Sequence, residues 1–306
     1  MLSFIARRLA VAVPTILILI VISYTLMFTA PGGPFNSERP LPPQVLANIE
    51  ARYGLDQPYW RQVTDYIWNI LHFDFGPSFQ YRDQTVNSII SQGFPVTLTY
   101  GLWAFAIAVV VGVTLGVVAA VRQNTMLDYI AVGTSVGFQV LPNFVLAPIL
   151  VLIFAAWLGW LPGGGWNGGQ WQYVVLPVVA LATSYTASIT RITRSSMLEV
   201  LNSGFIRTAR AKGLPTSRII LRHALKPALL PVLSYLGPAF VAMITGSFVI
   251  DMYFTTGGIG RFFVDSALNR DYSVIMGITI LVGVLTILFS LVVDILYAWI
   301  DPKIRY

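Results

Sequence analysis

Residues 202–231, NSGFIRTARAKGLPTSRIILRHALKPALLP, are the only long hydrophilic stretch in the second half of the chain, and both flanks are almost wholly apolar. Ser203 is placed to cap a short helix, Arg210 and Lys212 sit at its last turn, and Gly213 supplies the left-handed residue that ends it. Within that helix Phe205 and Ala209 lie one turn apart on one face, while Arg207 and Arg210 share another. A partner could bury the first face and pair with the second. Pro215 suits the first position of a following helix, along which Arg218, Arg222 and Lys226 recur every fourth residue until Pro227 interrupts. The expected unit is helix, sharp turn, helix: a bent basic knob on an apolar body. The same cations would also serve simply to hold a loop on the cytoplasmic side, and residue types alone leave both readings open.

The body around the knob belongs in a bilayer. Of 306 residues, 56% are hydrophobic and only 10% charged, with mean hydropathy +0.72. That is more apolar surface than a water-soluble core of this size can hide. Residues 9–30 form an uncharged run longer than the roughly 7 to 15 apolar residues of a cleavable signal, which predicts a retained first span. Further spans are expected at 99–121, 129–158, 173–193, 228–250 and 273–299, each near or above the ~20 residues a bilayer needs. The fold class is therefore an all-α membrane protein with six transmembrane helices. Placing the N-terminus in the cytoplasm puts Arg7, Arg8, Arg122, the basic residues from Arg191 to Lys226, Lys303 and Arg305 inside, 13 of the 19 cations. Both termini are then cytoplasmic. The expected division is 1–30 for the N-terminal end and first span, 31–94 for an extracytoplasmic segment, and 95–300 for a five-helix core. That core includes the loop 202–227, and 301–306 forms a cytoplasmic end.

Segment 31–94 opens on Pro31, Pro34, Pro40, Pro42 and Pro43, which forbid a continuous helix there. Further on, Trp60, Val63, Ile67, Ile70 and Leu71 recur at helical spacing, suiting a helix that packs on the membrane surface or on the rest of that face. The second span is expected to start after Pro95, and its Gly112 and Gly116 permit close helix approach within the subunit. Pro142 and Pro148 should kink the third span. Residues 161–171, LPGGGWNGGQW, read as a tight uncharged loop with interfacial aromatics. In the fourth span Thr183, Ser184, Thr186, Ser188, Thr190 and Thr193 either bond their own backbone or wet a solute pathway. Thr183, Tyr185, Thr186 and Tyr235 are the pathway candidates. Pro231, Gly237 and Pro238 should break or bend the fifth span.

Much chemistry is excluded. None of Lys212, Lys226 and Lys303 follows a glycine, so no GxxxxGK[ST] phosphate loop is present. His72 and His223 stand alone, and the absence of cysteine removes disulfides and thiol catalysis. No aromatics interleave with the basic stripe, which argues against nucleic acid as a partner. An ion-coupled secondary carrier would need ionisable groups near the bilayer centre, where only Asp294 comes close, near the end of its span. An intramembrane enzyme would need a nucleophile beside a base.

Four separated stretches carry a family resemblance: LDQP to DFGPSF (55–79), RTARAKG (207–213), LNRDYS (268–273) and DPKIRY (301–306). The loop resembles the EAA loop of ABC-importer permeases. Arg207, Thr208 and Ala209 stand at the triplet, Gly213 at the characteristic glycine, and His223, Ala224 and Leu225 at the later apolar element. Arg207 replaces the usual acidic residue, and Pro227 falls one place late with Lys226 before it, a variant that peptide-importer permeases share. In the stretch 251–271 Gly257 stands where that family commonly has proline, which would loosen the turn. The whole chain resembles the first permease subunit of a bacterial oligopeptide ABC importer, with permeases for dipeptides, glutathione or nickel as relatives of the same pattern. That resemblance implies a type I fold in the bacterial cytoplasmic (inner) membrane and a second, homologous permease. It also implies two cytoplasmic ABC ATPase subunits that bind ATP and Mg, and an extracytoplasmic peptide-binding protein. This chain would need no cofactor and perform no enzymatic step. It further implies that Phe205, Ile206, Arg207, Thr208, Ala209, Arg210, Lys212 and Gly213 form the coupling helix that enters an ATPase groove.

Overall fold

The structure is a computed structural model that describes residues 2–30, 44, 50–51, 54–81 and 83–300. The proline-rich stretch 31–43 and the terminal DPKIRY lie outside the described residues. Among the described residues the regular secondary structure is helical, apart from one isolated bridge between Pro77 and Thr85. Five helices are long and apolar enough to cross a membrane, or six when one sharply bent pair counts as a span. They are α1 (Leu2–Thr29), α3 (Val86–Val121), α6 (Trp171–Leu201), α10 (Leu230–Phe254) and α12 (Tyr272–Ile300). The bent pair is α4 (Met126–Val140) with α5 (Asn143–Leu150), whose last turns, Val151–Trp157, widen into π geometry. Short helices complete the chain: α2 (Tyr59–Leu71), α7 (Gly204–Ala211), α8 (Thr216–Arg218), α9 (Leu225–Ala228) and α11 (Ile259–Asn269).

Three expectations about prolines change. The second span begins at Val86, not after Pro95, which lies inside α3. The third span is broken, not merely kinked: α4 and α5 meet at 104°. Leu141, pushed out of the helical region by Pro142, adopts φ −78°, ψ 112° at the break. The fifth span runs unbroken as α10, because Pro231 occupies the first turn, where no amide donor is required, and Pro238 is passed without interruption.

Two compact units divide the chain, Met1–Pro95 with Gly257–Ile287, and Val96–Thr256 with Leu288–Tyr306, so α3 and α12 contribute to both. In the first, Tyr24, Val63 and Met276 form a small core, and Tyr24 donates to Gln62 Oε1 at 2.8 Å. Gln62 Nε2 in turn holds the carbonyls of Leu55 and Gln57, so the LDQP stretch is tied to α2. The inward face of α2 therefore carries Gln62 and Val63, while Trp60 and Leu71, expected on that stripe, are exposed together with Trp68.

The DFGPSF and LNRDYS stretches bind each other. Asp271 is fully buried and accepts from the Ser78 hydroxyl, from the Phe79 and Gln80 amides at 3.1 and 3.2 Å, and from the Ser273 hydroxyl at 2.8 Å. It also reaches the Val274 amide, the third residue of α12, and so caps that helix. Asp271→Ala strips a cap and leaves buried donors unpaired, each worth about 1–3 kcal/mol. The expected result is a clearly lowered thermal unfolding midpoint of the purified protein, with Asp271→Asn intermediate. An unchanged midpoint for the alanine variant would show that the clasp contributes nothing.

In the second unit α3, α6 and α10 share one apolar core that includes Tyr100, Leu181, Ile189, Met243 and Phe254. Buried Asp251 near the end of α10 accepts from Tyr100 at 2.5 Å, from Thr97 at 3.2 Å and from the Thr256 hydroxyl. Gly112 and Gly116 of α3 lie directly against α6. The glycine-rich loop folds back as expected, with the Gly165 amide donating to Phe254 O at 2.6 Å.

Candidate functional site

The elbow has the predicted outline. Gly213 adopts φ +75°, its amide donates to Arg210 O at 2.9 Å, and the Leu214 amide donates to Ala209 O at 3.4 Å. That is a Schellman arrangement, and Leu214 packs on the same small core as Ala209, closing the helix end with an apolar contact. Ser203 occupies the N-cap position of α7, but its hydroxyl donates back to Val200 O at 2.6 Å instead of to the helix amides.

The faces of α7 are divided differently from the sequence expectation. Ile206 is 0% and Ala209 6% exposed, both packed with Ala120, Met197, Ile219, Ala224 and Ala228 of the same chain. Phe205 is 52% exposed, so it does not share a surface with Ala209. Three-residue spacing puts Ile206 and Ala209 on one line facing the chain's own body. The surface open to a partner carries Phe205, Arg207, Thr208, Arg210 and Lys212. The second arm runs from α8 through a π-helical stretch, Ile219–Ala224, into α9. Arg218, Arg222 and Lys226 are all exposed along it, and the His223 ring contacts Arg218 O at 3.4 Å.

The four pathway candidates do not come together. Thr183 and Thr186 line one groove of about 220 Å³ with Thr134, Ser135 and Phe138, whereas Tyr185 and Tyr235 pack half-buried against the apolar core. The hydroxyls of Thr183, Thr186, Ser188 and Thr190 donate to carbonyls four residues back. Those donors are used up within the helix, which favours packing over wetting for that face.

A feature absent from the expectations is an ion pair between α4 and α6. Arg194 Nε and Nη2 reach the two oxygens of Asp128 at 2.6 and 2.8 Å, and the Asn124 amide adds a third bond at 3.0 Å. Asp128 is 2% exposed. Asp128 and Arg194 each fall one residue outside an expected span, 129–158 and 173–193, which makes both loop charges by sequence, whereas the helices extend to include them.

With this geometry in view, comparison with known proteins decides the family. The family described as "Binding-protein-dependent transport system inner membrane component" matches residues 112–306. The chain belongs to this family. The companion N-terminal region of such membrane components matches residues 1–101. Among curated binding-protein-dependent permeases, the oligopeptide transport system permease protein OppB of Haemophilus influenzae is 59% identical over 306 residues, covering all of both chains. OppB of Salmonella typhimurium is 60% identical over the same full length. The dipeptide transport system permease protein DppB of Bacillus subtilis is 43% identical, with 100% of this chain and 98% of that one covered. Among solved structures, a chain of the MetNI methionine ABC transporter in an inward facing conformation aligns with TM-score 0.58 at 18% identity. It covers 70% of this chain and 96% of its own. A chain of an amino acid ABC transporter solved with histidines gives TM-score 0.53 at 19% identity, covering 68% and 92%. The fold is that of a type I ABC-importer permease, and the protein is a multi-pass inner-membrane transport component.

Proposed function

We propose that this permease forms half of a translocation pathway for oligopeptides and takes its energy from separate ATPase subunits through α7. The observation that carries the proposal is the division of α7: Ile206 and Ala209 root it in its own subunit, leaving Phe205, Arg207, Thr208, Arg210 and Lys212 presented outward. A helix anchored on one side and polar with one large apolar residue on the other is suited to a groove in a second protein. Full-length identity near 60% to oligopeptide permeases supports the substrate class.

On this reading the loop 202–227 and both termini face the cytoplasm, and 31–94 faces the other side. The partners are a homologous second permease, two ABC ATPases that bind ATP and Mg, and an extracytoplasmic peptide-binding protein. Tyr185 and Tyr235 are the better pathway pair, since both stay half-buried beside the apolar core. Thr183 and Thr186 serve helix packing.

The test is reconstitution of the complete complex in vesicles with a labelled hexapeptide and a labelled dipeptide. ATP-dependent uptake of the hexapeptide is expected, and a cysteine replacing Thr208 should cross-link to an ATPase subunit, a role the buried Ala209 cannot fill. Accumulation by this chain alone, driven by an ion gradient without nucleotide, would overturn the reading. Uptake of the dipeptide only would overturn the substrate class.

A further inference from the structure

The ion pair between Asp128 and Arg194 lies at a junction that the coupling reading leaves without a mechanism. Asp128 stands in the first turn of α4, immediately after the tight connection from α3. Asn124 in that connection has φ +62°, and its amide is held by Asp128 Oδ2, so one carboxylate fixes both the turn and the guanidinium. Arg194 precedes the end of α6 at Leu201 by seven residues, about 10 Å of helix, after which the chain turns directly into α7. At the end of α3, Ala120 packs in the same apolar cluster as Met197, Ile206 and Ala209. The ends of α3 and α6 and the elbow are thus joined by packing, and α4, which packs along α6 over its length, is in addition fastened to it at this level by a fork of two charge-assisted bonds.

From this geometry we infer that Asp128 and Arg194 are positioning residues that carry displacement of the coupling helix into the broken α4–α5 span. The inference rests on the proposed coupling role of α7. Apolar burial is non-directional, whereas a bidentate guanidinium–carboxylate fork fixes both separation and orientation. A push on α7 transmitted along α6 therefore drags α4 with it, and α4 leads into the 104° break at Leu141 and Pro142. Without the fork the elbow still docks and ATP hydrolysis proceeds, but α4, held to α6 by packing alone, no longer follows it in register.

The experiment uses the complete reconstituted complex and reads peptide delivered per ATP hydrolysed. D128N and R194Q are each expected to lower that ratio about tenfold while the assembled complex and its ATP turnover persist. The exchange D128R/R194D should recover a substantial part of it. A second, activity-independent readout places spin labels at the exposed Val136 of α4 and the exposed Asn202, which joins α6 to α7 outside the docking face. In the native pair their separation should stay constant between nucleotide-free and ATP-trapped complexes, and in D128N it should change or broaden. The inference is overturned if the variants lose assembled complex and uptake in proportion with the ratio unchanged, or if the label separation in D128N matches the native one in both states. Failure of the native complex to couple ATP to uptake would instead refute the coupling reading itself.

Discussion

Replacing Gly116 by leucine is expected to remove the folded subunit from the membrane almost completely. A Cβ at this position would sit 2.6 Å from Thr190 O and 2.5 Å from Thr193 Cβ, and the first of these is backbone that cannot rotate away. Overpacking a tight core by one or two methylenes already costs about 1–3 kcal/mol. A leucine here must separate α3 from α6 along the line that also holds Gly112, whose Cβ would lie 2.8 Å from Ile189 side-chain carbons and 3.0 Å from Thr186 O. Gly133 in α4 provides the control, since a Cβ there meets nothing within 4 Å and alanine should be neutral or mildly stabilising. Detergent-extracted subunit, quantified by size-exclusion chromatography, reads both. A monodisperse G116L protein at native yield would mean that the two helices do not touch as described.

Phe205→Asp is expected to reduce ATP-driven uptake to background while leaving the subunit at native level in the membrane. The two halves of that expectation come from one fact: the ring is 52% exposed and makes no part of the cluster around Ile206 and Ala209. Removing it costs the fold little, whereas on the proposed coupling role a carboxylate in its place would have to be desolvated where the ring enters the partner. Ile206→Asp should behave oppositely, lowering the amount of subunit itself, because it buries a charge in the elbow's own core. Equal loss of protein in both variants would remove the distinction between the anchored and the presented face.

Much of this was legible from the residues. Span number followed from long apolar runs, and Gly213 announced its own left-handed turn, because few other residues tolerate that conformation. Gly112 and Gly116 announced a close helix approach, while that α6 is the partner came only from the structure. What spacing could not supply was helix rotation in the tertiary frame. Phe205 and Ala209 share a helical face only to within an angle that the Ile206 and Ala209 line overrides, and Trp60 leaves the inward face of α2 because Gln62 takes it to bind the LDQP carbonyls. Prolines misled in both directions. Pro142 breaks a span by acting on Leu141, while Pro95 and Pro238 sit inside continuous helices. Gly257 adopts φ +78°, a conformation that proline, with its ring-fixed negative φ, cannot take. Asp271 shows why separate stretches resemble one family: a hydrogen bond between them is invisible until they are brought together.

That last contact sets an order of events during synthesis. Ser78 and Asp271 are 193 residues apart in the chain. The ribosome delivers the acceptor only when the final helix is about to emerge. Until then the hydroxyl and amides at 78–80 must be satisfied by water, and the first unit cannot close however early its opening helix enters the bilayer. Maturation of the amino-terminal segment, Met1–Pro95, is therefore timed by the carboxyl-terminal span, and a nascent chain stalled anywhere before it remains an unlatched intermediate.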